Sequence, residues 1–260
     1  MEISGKVAFV TAAGSGIGEA ISRSLAGEGA RVAVADLDSD AAHRVAHEIE
    51  GKALTVDVAD QAALIAALDA TSELLGPIDI LVNNAGVAIG GGVEVPDSDW
   101  DRAWQINFMS QVTATRHILP TMIARGGGYL VHTASAAGLL TNLGAAPYAV
   151  TKHAVVALAE WLSITHAHQG IRVSCLCPQF VSTNMLTEFL DFPGGRQLVG
   201  DSAITPAEVG RAVVEGIEEE SFLILPHPEV AEYFRRKGDD YERWLGGMRK
   251  LQAFMDSAAD

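Results

Sequence analysis

Tyr148 and Lys152 stand four positions apart in the stretch "PYAVTK". On a helix, positions i and i+4 share a face, so a phenol and an ammonium group would act in one place. A free tyrosine titrates near about 10, and a neighbouring cation favours the phenolate and lowers that value. A tyrosine tuned in this way can take the proton of an alcohol or return it to a carbonyl oxygen. The same pair also arises by chance on ordinary helices, so further residues must support it. Ser135, thirteen residues before Tyr148 and just after an apolar run, is one. A hydroxyl there can bond a substrate oxygen and fix it where charge develops. Its plainer reading is a turn or cap at a strand end.

Oxidising an alcohol also needs a hydride acceptor. The segment "VTAAGSGIGEA", residues 10–20, places Gly14, Gly16 and Gly18, with Ser15 and Ile17 between them, where an apolar run gives way to a helical pattern. Glycines at such a turn let the backbone approach a phosphate, and the helix N-terminus supplies N–H donors and partial positive charge. Asp36 closes the second apolar run, where a carboxylate can accept bonds from adenosine ribose hydroxyls. A tight turn and a capping acid are the plainer alternatives. Leu37 follows Asp36, and neither it nor the glycine turn brings an Arg or Lys for a 2′-phosphate, which favours NAD over NADP. Asp57 and Val58 end the third run and could flank an adenine ring, or simply form an exposed strand end. Asn84, Ala85 and Gly86 end the fourth, and small residues there keep a crevice open at the strand carboxyl ends.

These residues need a scaffold that gathers strand ends. Short β-branched runs at 6–12, 31–36, 52–58, 78–86, 127–135, 171–178 and 222–226 alternate with helical patterns, including a long helix over 97–124 and one opened by Pro147. Ser39 is the expected cap of the second helix. Such alternation predicts an α/β fold of the Rossmann type: a doubly wound parallel sheet of seven strands with helices on both faces. Residues 1–226 read as one dinucleotide-binding catalytic unit. Within it, 184–205 is an insertion with a Pro-Gly-Gly break that reads as a substrate lid. Met185, Leu186 and Phe189 of that lid, with Leu139 after Ser135, are the expected substrate contacts. Phe192, Leu140 and Leu143 add to an apolar lining, which favours an apolar alcohol or ketone. Residues 227–260 form a C-terminal helical extension with Val230, Phe234, Tyr241, Trp244, Met248 and Leu251 as its docking residues.

The net charge of −15 argues against nucleic acid or an anionic membrane as the partner. Cys175 and Cys177 are expected on opposite faces of a strand, unbonded, which suits a reducing cytoplasm. Neither a signal peptide nor a membrane span is expected. No His, Cys and carboxylate cluster has metal spacing. His132 and His153 read as packed residues rather than catalysts.

Taken together, "TAAGSGIG", "NNAG", "SAAG" and "YAVTK", in this order and spacing, resemble the short-chain dehydrogenase/reductase family over residues 4–225. The resemblance implies nicotinamide-dependent oxidoreduction of a small alcohol or ketone. It makes Tyr148 the general acid/base, Lys152 the ligand of the nicotinamide ribose, and Ser135 the group that orients the substrate oxygen. Asn107 matches a family asparagine that distorts its helix and holds a water linking Lys152 to solvent. Asn84 would contact the cofactor, as would Pro178, Val181 and Thr183 near the nicotinamide. Three departures stand out. Ala12 replaces the first family glycine, which is compatible with the turn provided its φ is negative. Gln179 follows Pro178 where the family usually has glycine. Pro226-His227-Pro228 stands near a C-terminal turn that in the family helps build a tetramer. A homodimer through the 97–124 and 147–168 helices is expected, with a homotetramer the other possibility. The alternatives to catalysis by this set are a non-catalytic NAD-binding regulator and a nucleotide-sugar epimerase or dehydratase, which shares the Tyr-Lys pair.

Overall fold

The first strand, β1 (Val7–Thr11), is buried at every position. Residues two apart on a strand share a face. Val7 and Phe9 therefore enter one hydrophobic core, and Ala8 and Val10 enter another. An uninterrupted apolar run is what a parallel strand covered on both sides requires. The structure, a computed structural model, describes residues 1–190 and 195–257, the side chains of residues 188, 189, 197 and 198 excepted.

From β1 the chain runs through α1 (Gly16–Gly27), β2 (Arg31–Asp36), α2 (Ser39–Glu48), β3 (Lys52–Thr55), α3 (Gln61–Leu75) and β4 (Ile80–Asn83). It continues through α4 (Asp97–Trp104), a π-helical turn (Gln105–Met109), α5 (Ser110–Ala124), β5 (Gly128–Thr133), α6 (Ala137–Leu140), α7 (Ala146–His166) and β6 (Ile171–Leu176). The last part holds α8 (Asn184–Leu190), α9 (Gly195–Val199), α10 (Pro206–Glu218), β7 (Leu223–Ile224), α11 (Glu229–Asp239) and α12 (Tyr241–Ser257). Among the described residues, seven strands form one sheet of order β3-β2-β1-β4-β5-β6-β7, parallel throughout. Phe9 pairs with Ala33 on one side and Leu81 on the other. The winding direction reverses between β1 and β4, and that reversal opens a crevice at the strand carboxyl ends.

One face of the sheet is covered by Leu64 and Leu68 of α3, Ile118 and Met122 of α5, and Val155, Ala159 and Leu162 of α7. The other is covered by Ile21 and Leu25 of α1, Val45 of α2, and Val209, Val213 and Ile217 of α10. Each fully buried side chain of this size contributes about 1.5–3 kcal/mol. Among the described residues no helix is long and apolar enough to cross a membrane.

The strands end earlier than their apolar runs. Residues 84–86, 134–135 and 177–178 lie beyond the ends of β4, β5 and β6, and Asp57 and Val58 beyond β3. Asp38, not Ser39, caps α2: its carboxylate accepts from the Asp40 and Ala41 amides at 3.0 and 3.1 Å. Cys175 and Cys177 share a face, because the strand period is two. Both thiols sit in the same core with their sulfurs 3.7 Å apart, unbonded. In the C-terminal extension, Val230, Tyr233 and Trp244 pack on the core, whereas Phe234 and Tyr241 are exposed. The extension departs from a uniform helical pattern because Asp240 interrupts it with extended backbone.

Ala12 also differs from expectation. Its φ is +49°, in the left-handed region. A Cβ there costs about 1 kcal/mol against glycine. Ala12→Gly is therefore expected to stabilise the chain by about 0.5–1 kcal/mol, read as a higher urea midpoint at unchanged slope. A lower midpoint would contradict a strained alanine.

Candidate active site

The glycine turn joins β1 to α1. Gly16 has φ +54°, and Ser15, the residue capping α1, makes no side-chain cap bond. The first amides of α1 are therefore left for an anion. Gly18 approaches the backbone so closely that a Cβ would lie 2.0 Å from the Ala12 carbonyl oxygen. The Gly14 amide donates to Asp36 Oδ2 at 2.8 Å, and the Asp38 amide to Asp36 Oδ1 at 2.9 Å. Asp36 is thus fixed at the rim of the turn, with Leu37 exposed beside it. Arg44 of α2, not identified from the sequence, donates to the Gly14 carbonyl at 2.8 Å. Its guanidinium also pairs with Glu19, which sits in the first turn of α1. A charge thirty residues from Gly14 gave no local signal; only the packing of α2 against the turn brings it there.

The strand ends are tied together by Thr11. Its Oγ1 accepts from the Asn84 and Ala85 amides at 2.9 and 3.0 Å. The Asn84 side chain donates to the Thr11 carbonyl at 3.2 Å and accepts from Thr133 Oγ1 at 3.3 Å. Both ends of the Asn84 amide are engaged within the protein. Asp57 Oδ1 accepts from the Ala59 amide at 2.9 Å.

Lys152 lies under this tie. Its Nζ donates to the Thr133 carbonyl at 3.0 Å and stands 5.6 Å from the centre of the Tyr148 ring. A Cβ on Gly86 would come within 3.2 Å of Nζ, so glycine keeps that approach open. Ser135 is buried; its Oγ accepts from the Ala137 amide at 3.1 Å and lies 3.4 Å from the Pro178 carbonyl. Burial pushes the Tyr148 phenol up, opposed by a hydrogen bond with Ser135. The same burial pushes Lys152 down to about 8, against the neighbouring thiols of Cys177 and Cys175, which favour its charge. The lowering of Tyr148 expected from Lys152 is not found: burial is the largest influence on the phenol, and the group that opposes it is Ser135.

Asn107 sits in the π-helical turn, fully buried. Its Oδ1 accepts from the Val87 amide at 2.7 Å, and its Nδ2 donates to the Val87 carbonyl at 3.0 Å and to Thr151 Oγ1 at 3.0 Å. A π turn frees a backbone carbonyl. Gln111 Nε2 takes that of Asn107 at 3.0 Å, while Gln111 Oε1 accepts from His132 Nδ1 at 2.8 Å. His132 is held neutral by burial, at about 4. His153 bonds the Ala149 carbonyl of its own helix.

A cavity of about 340 Å³ opens beside Gly86, lined by Val87, Ala88, Ile89, Met185 and Arg102. Arg102 puts a cation in a lining that the sequence presented as apolar. Leu139 and Leu140 pack in the core rather than line the opening. Leu186 is half-buried. The Phe189 side chain and Phe192 lie outside the described residues. Val181 is buried in the core beneath the helices α1 and α10. Segment 178–183 bridges the two parts of the site: the Pro178 carbonyl meets the Ala136 amide at 2.8 Å, and Thr183 Cγ2 would lie 3.2 Å from a Cβ on Gly16. The Ile204 amide donates to the Phe180 carbonyl at 3.0 Å, and the Ser182 amide to the Ile204 carbonyl at 2.9 Å. These bonds close the base of the 182–203 excursion.

A doubly wound parallel sheet with a glycine turn at its switch point and a Ser, Tyr and Lys set across the crevice defines a dehydrogenase or reductase of the Rossmann class. The chain belongs to the short chain dehydrogenase family, whose model matches residues 6–193. It is 34% identical over 252 residues to 1-deoxy-11-beta-hydroxypentalenate dehydrogenase of Streptomyces exfoliatus, covering 94% of this chain and 90% of that protein. It is 38% identical to meso-2,3-butanediol dehydrogenase of Serratia marcescens, over 71% of this chain and 75% of that one. A short chain dehydrogenase/reductase from Burkholderia phymatum, solved in complex with NAD, superimposes with a TM-score of 0.82 at 32% identity, covering 93% of this chain and 96% of that one.

The buried lysine has a consequence for stability. Its folded value of about 8 lies below the ordinary 10.5, so between these two pH values the unfolded chain binds the proton that the folded chain has lost. Folding therefore becomes more favourable as pH rises through that window, and the cost of burying the cation is fully felt below it. Relative to Lys152→Met, the wild type is expected to gain stability on the order of 3 kcal/mol across the window, by urea unfolding. A flat difference would contradict a depressed Lys152.

Proposed function

We propose that this chain is an NAD-dependent oxidoreductase that interconverts a secondary alcohol and a ketone. The observation that carries the reading is the juxtaposition of Ser135, Tyr148 and Lys152 at strand ends that are tied by hydrogen bonds to the glycine turn. The turn fits a dinucleotide. Its α1 amides lack a side-chain cap, and Gly18 makes an approach that a Cβ would block. Gly14, Ser15, Gly16, Ile17 and Gly18 would hold the phosphates. Asp36 and Leu37 would meet the adenosine ribose, Asp57 and Val58 the adenine, and residues 84–86, Pro178, Val181 and Thr183 the nicotinamide half. When bound, the nicotinamide supplies the hydride acceptor or donor.

Tyr148 exchanges a proton with the substrate oxygen. Ser135 donates a hydrogen bond to that oxygen and fixes its place. Lys152, anchored on the Thr133 carbonyl, binds the ribose and adds positive charge beside the phenol. Asn107 is a positioning residue: it joins the π turn to Val87, next to Gly86 and Lys152. The preference for NAD rests on the Asp36 carboxylate, which would repel a 2′-phosphate. Arg44 does not reverse this, because Glu19 and Glu48 offset its charge.

The side chains of Val87, Ala88, Ile89 and Met185 beside the cavity favour an alcohol with an apolar part, and Arg102 is able to meet a polar or anionic substituent on it. The two curated relatives are named for a hydroxypentalenate and a butanediol, both hydroxyl-bearing. Pairing of two copies through the helices at 97–124 and 146–166 accounts for the exposure of Trp104, Val150, Trp161 and Ile164 on them. The two free buried thiols suit the cytoplasm.

The test is a panel of aliphatic, aromatic and steroid alcohols followed by NADH absorbance. Tyr148→Phe is expected to keep NADH binding and lose at least about a hundredfold in kcat; retained turnover would remove Tyr148 from its role. The wild type is expected to use NAD far more efficiently than NADP, and Asp36→Ala to narrow that gap through its NADP efficiency. Equal efficiency of the wild type with both cofactors would refute the role of Asp36.

A further inference from the structure

Two of the sequence departures, Gln179 and His227, meet in the structure. His227 follows β7 and is 2% exposed. Its Nδ1 accepts from the Gln179 amide at 3.1 Å, and its Nε2 donates to the Phe180 carbonyl at 3.0 Å. Both bonds together require the neutral Nε2–H tautomer. One imidazole thus holds the 178–179 and 180–181 peptide groups, on either side of the 179–180 peptide, in the middle of segment 178–183.

That segment is the roof of the site. At one end the Pro178 carbonyl lies 3.4 Å from Ser135 Oγ. At the other, Thr183 lies against Gly16 in the phosphate turn. A dinucleotide with its phosphates at Gly16 and its reacting ring near Ser135 and Tyr148 would pass along it. The Phe180 carbonyl accepts from Ile204 as well, so both of its lone pairs are engaged. Glycine after Pro178 would leave this backbone loose. A residue with a side chain, clamped by a buried histidine, does not.

We infer that His227 is a positioning residue that fixes the 178–183 roof and thereby sets the grip on the nicotinamide half of the cofactor. The inference rests on the NAD reading above. It assigns a role in cofactor recognition to the segment that begins the C-terminal extension, the "PHP" stretch otherwise readable as a mere interruption. That extension reaches the other wall too: Lys237 Nζ donates to the Leu139 carbonyl at 2.6 Å, in the short helix after Ser135.

The test compares binding of NADH and of ADP-ribose, which carries the same phosphates and adenosine but no nicotinamide. In the wild type both bind; failure of NADH to bind at all would sink the NAD reading itself, and this inference with it. His227→Ala is expected to weaken NADH by about tenfold, the size of one or two lost buried hydrogen bonds, and to leave ADP-ribose nearly unchanged. His227→Asn can keep the acceptor for Gln179, and His227→Gln the donor to Phe180, so each is expected to recover part of the NADH affinity. Equal weakening of both ligands, or no weakening of either, overturns the inference. If the variants do not fold, amide exchange on the wild type without cofactor decides. A Gln179 amide protected like a core amide supports the clamp, and one exchanging like a free surface amide overturns it.

Discussion

The strand carboxyl ends in this chain are bound to one another before they are bound to anything else. Thr11 Oγ1 receives two amides from the end of β4, Asn84 reaches from there to Thr133 at the end of β5, and the Thr133 carbonyl receives Lys152. This line of hydrogen bonds runs from the glycine turn to the buried ammonium through three neighbouring strands. A parallel sheet offers it naturally, because all strands finish on the same side. The distance from the glycine turn to Lys152 is therefore a property of strand spacing, which two packed cores hold constant.

The cost of the arrangement is concentrated in buried polar groups. Lys152 and Tyr148 are both shifted toward their neutral forms by burial. Asn107, Gln111 and His132 form a second buried network beside them, assembled around the carbonyl that the π turn releases. Among the described residues, His132 Nε2 is left without a partner, which a neutral imidazole tolerates far better than a cation would. Polar groups so enclosed are held in one arrangement.

Much of this was legible in the sequence, for local reasons. Continuous apolar runs separated by helical patterns give the doubly wound sheet. Glycines at 14, 16 and 18 and an acid at 36 give a turn and its rim. Four-residue spacing gives Tyr148 and Lys152 a common face. The misses were non-local, or turned on backbone angles. Nothing local to Ala12 reveals a positive φ. Arg44 and Arg102 reach their places only through helix packing. His227 finds Gln179 across forty-eight residues. The two cysteines were a different matter, since the strand period alone places residues 175 and 177 together.

The closure at Ile204 bears on how such a chain changes over time. The chain leaves and returns at backbone groups bonded to each other, the Ser182 amide to the Ile204 carbonyl and the Ile204 amide to the Phe180 carbonyl, so the stretch between is pinned at both ends. Met185 lies within it and borders the cavity, whereas the strand-end hydrogen bonds lie outside it. Replacement of that stretch beyond Thr183, which lies against Gly16, can reshape the cavity wall at Met185 while the strand-end tie is inherited intact. The Met185 wall of the cavity and the strand-end tie are, in this architecture, separately heritable traits.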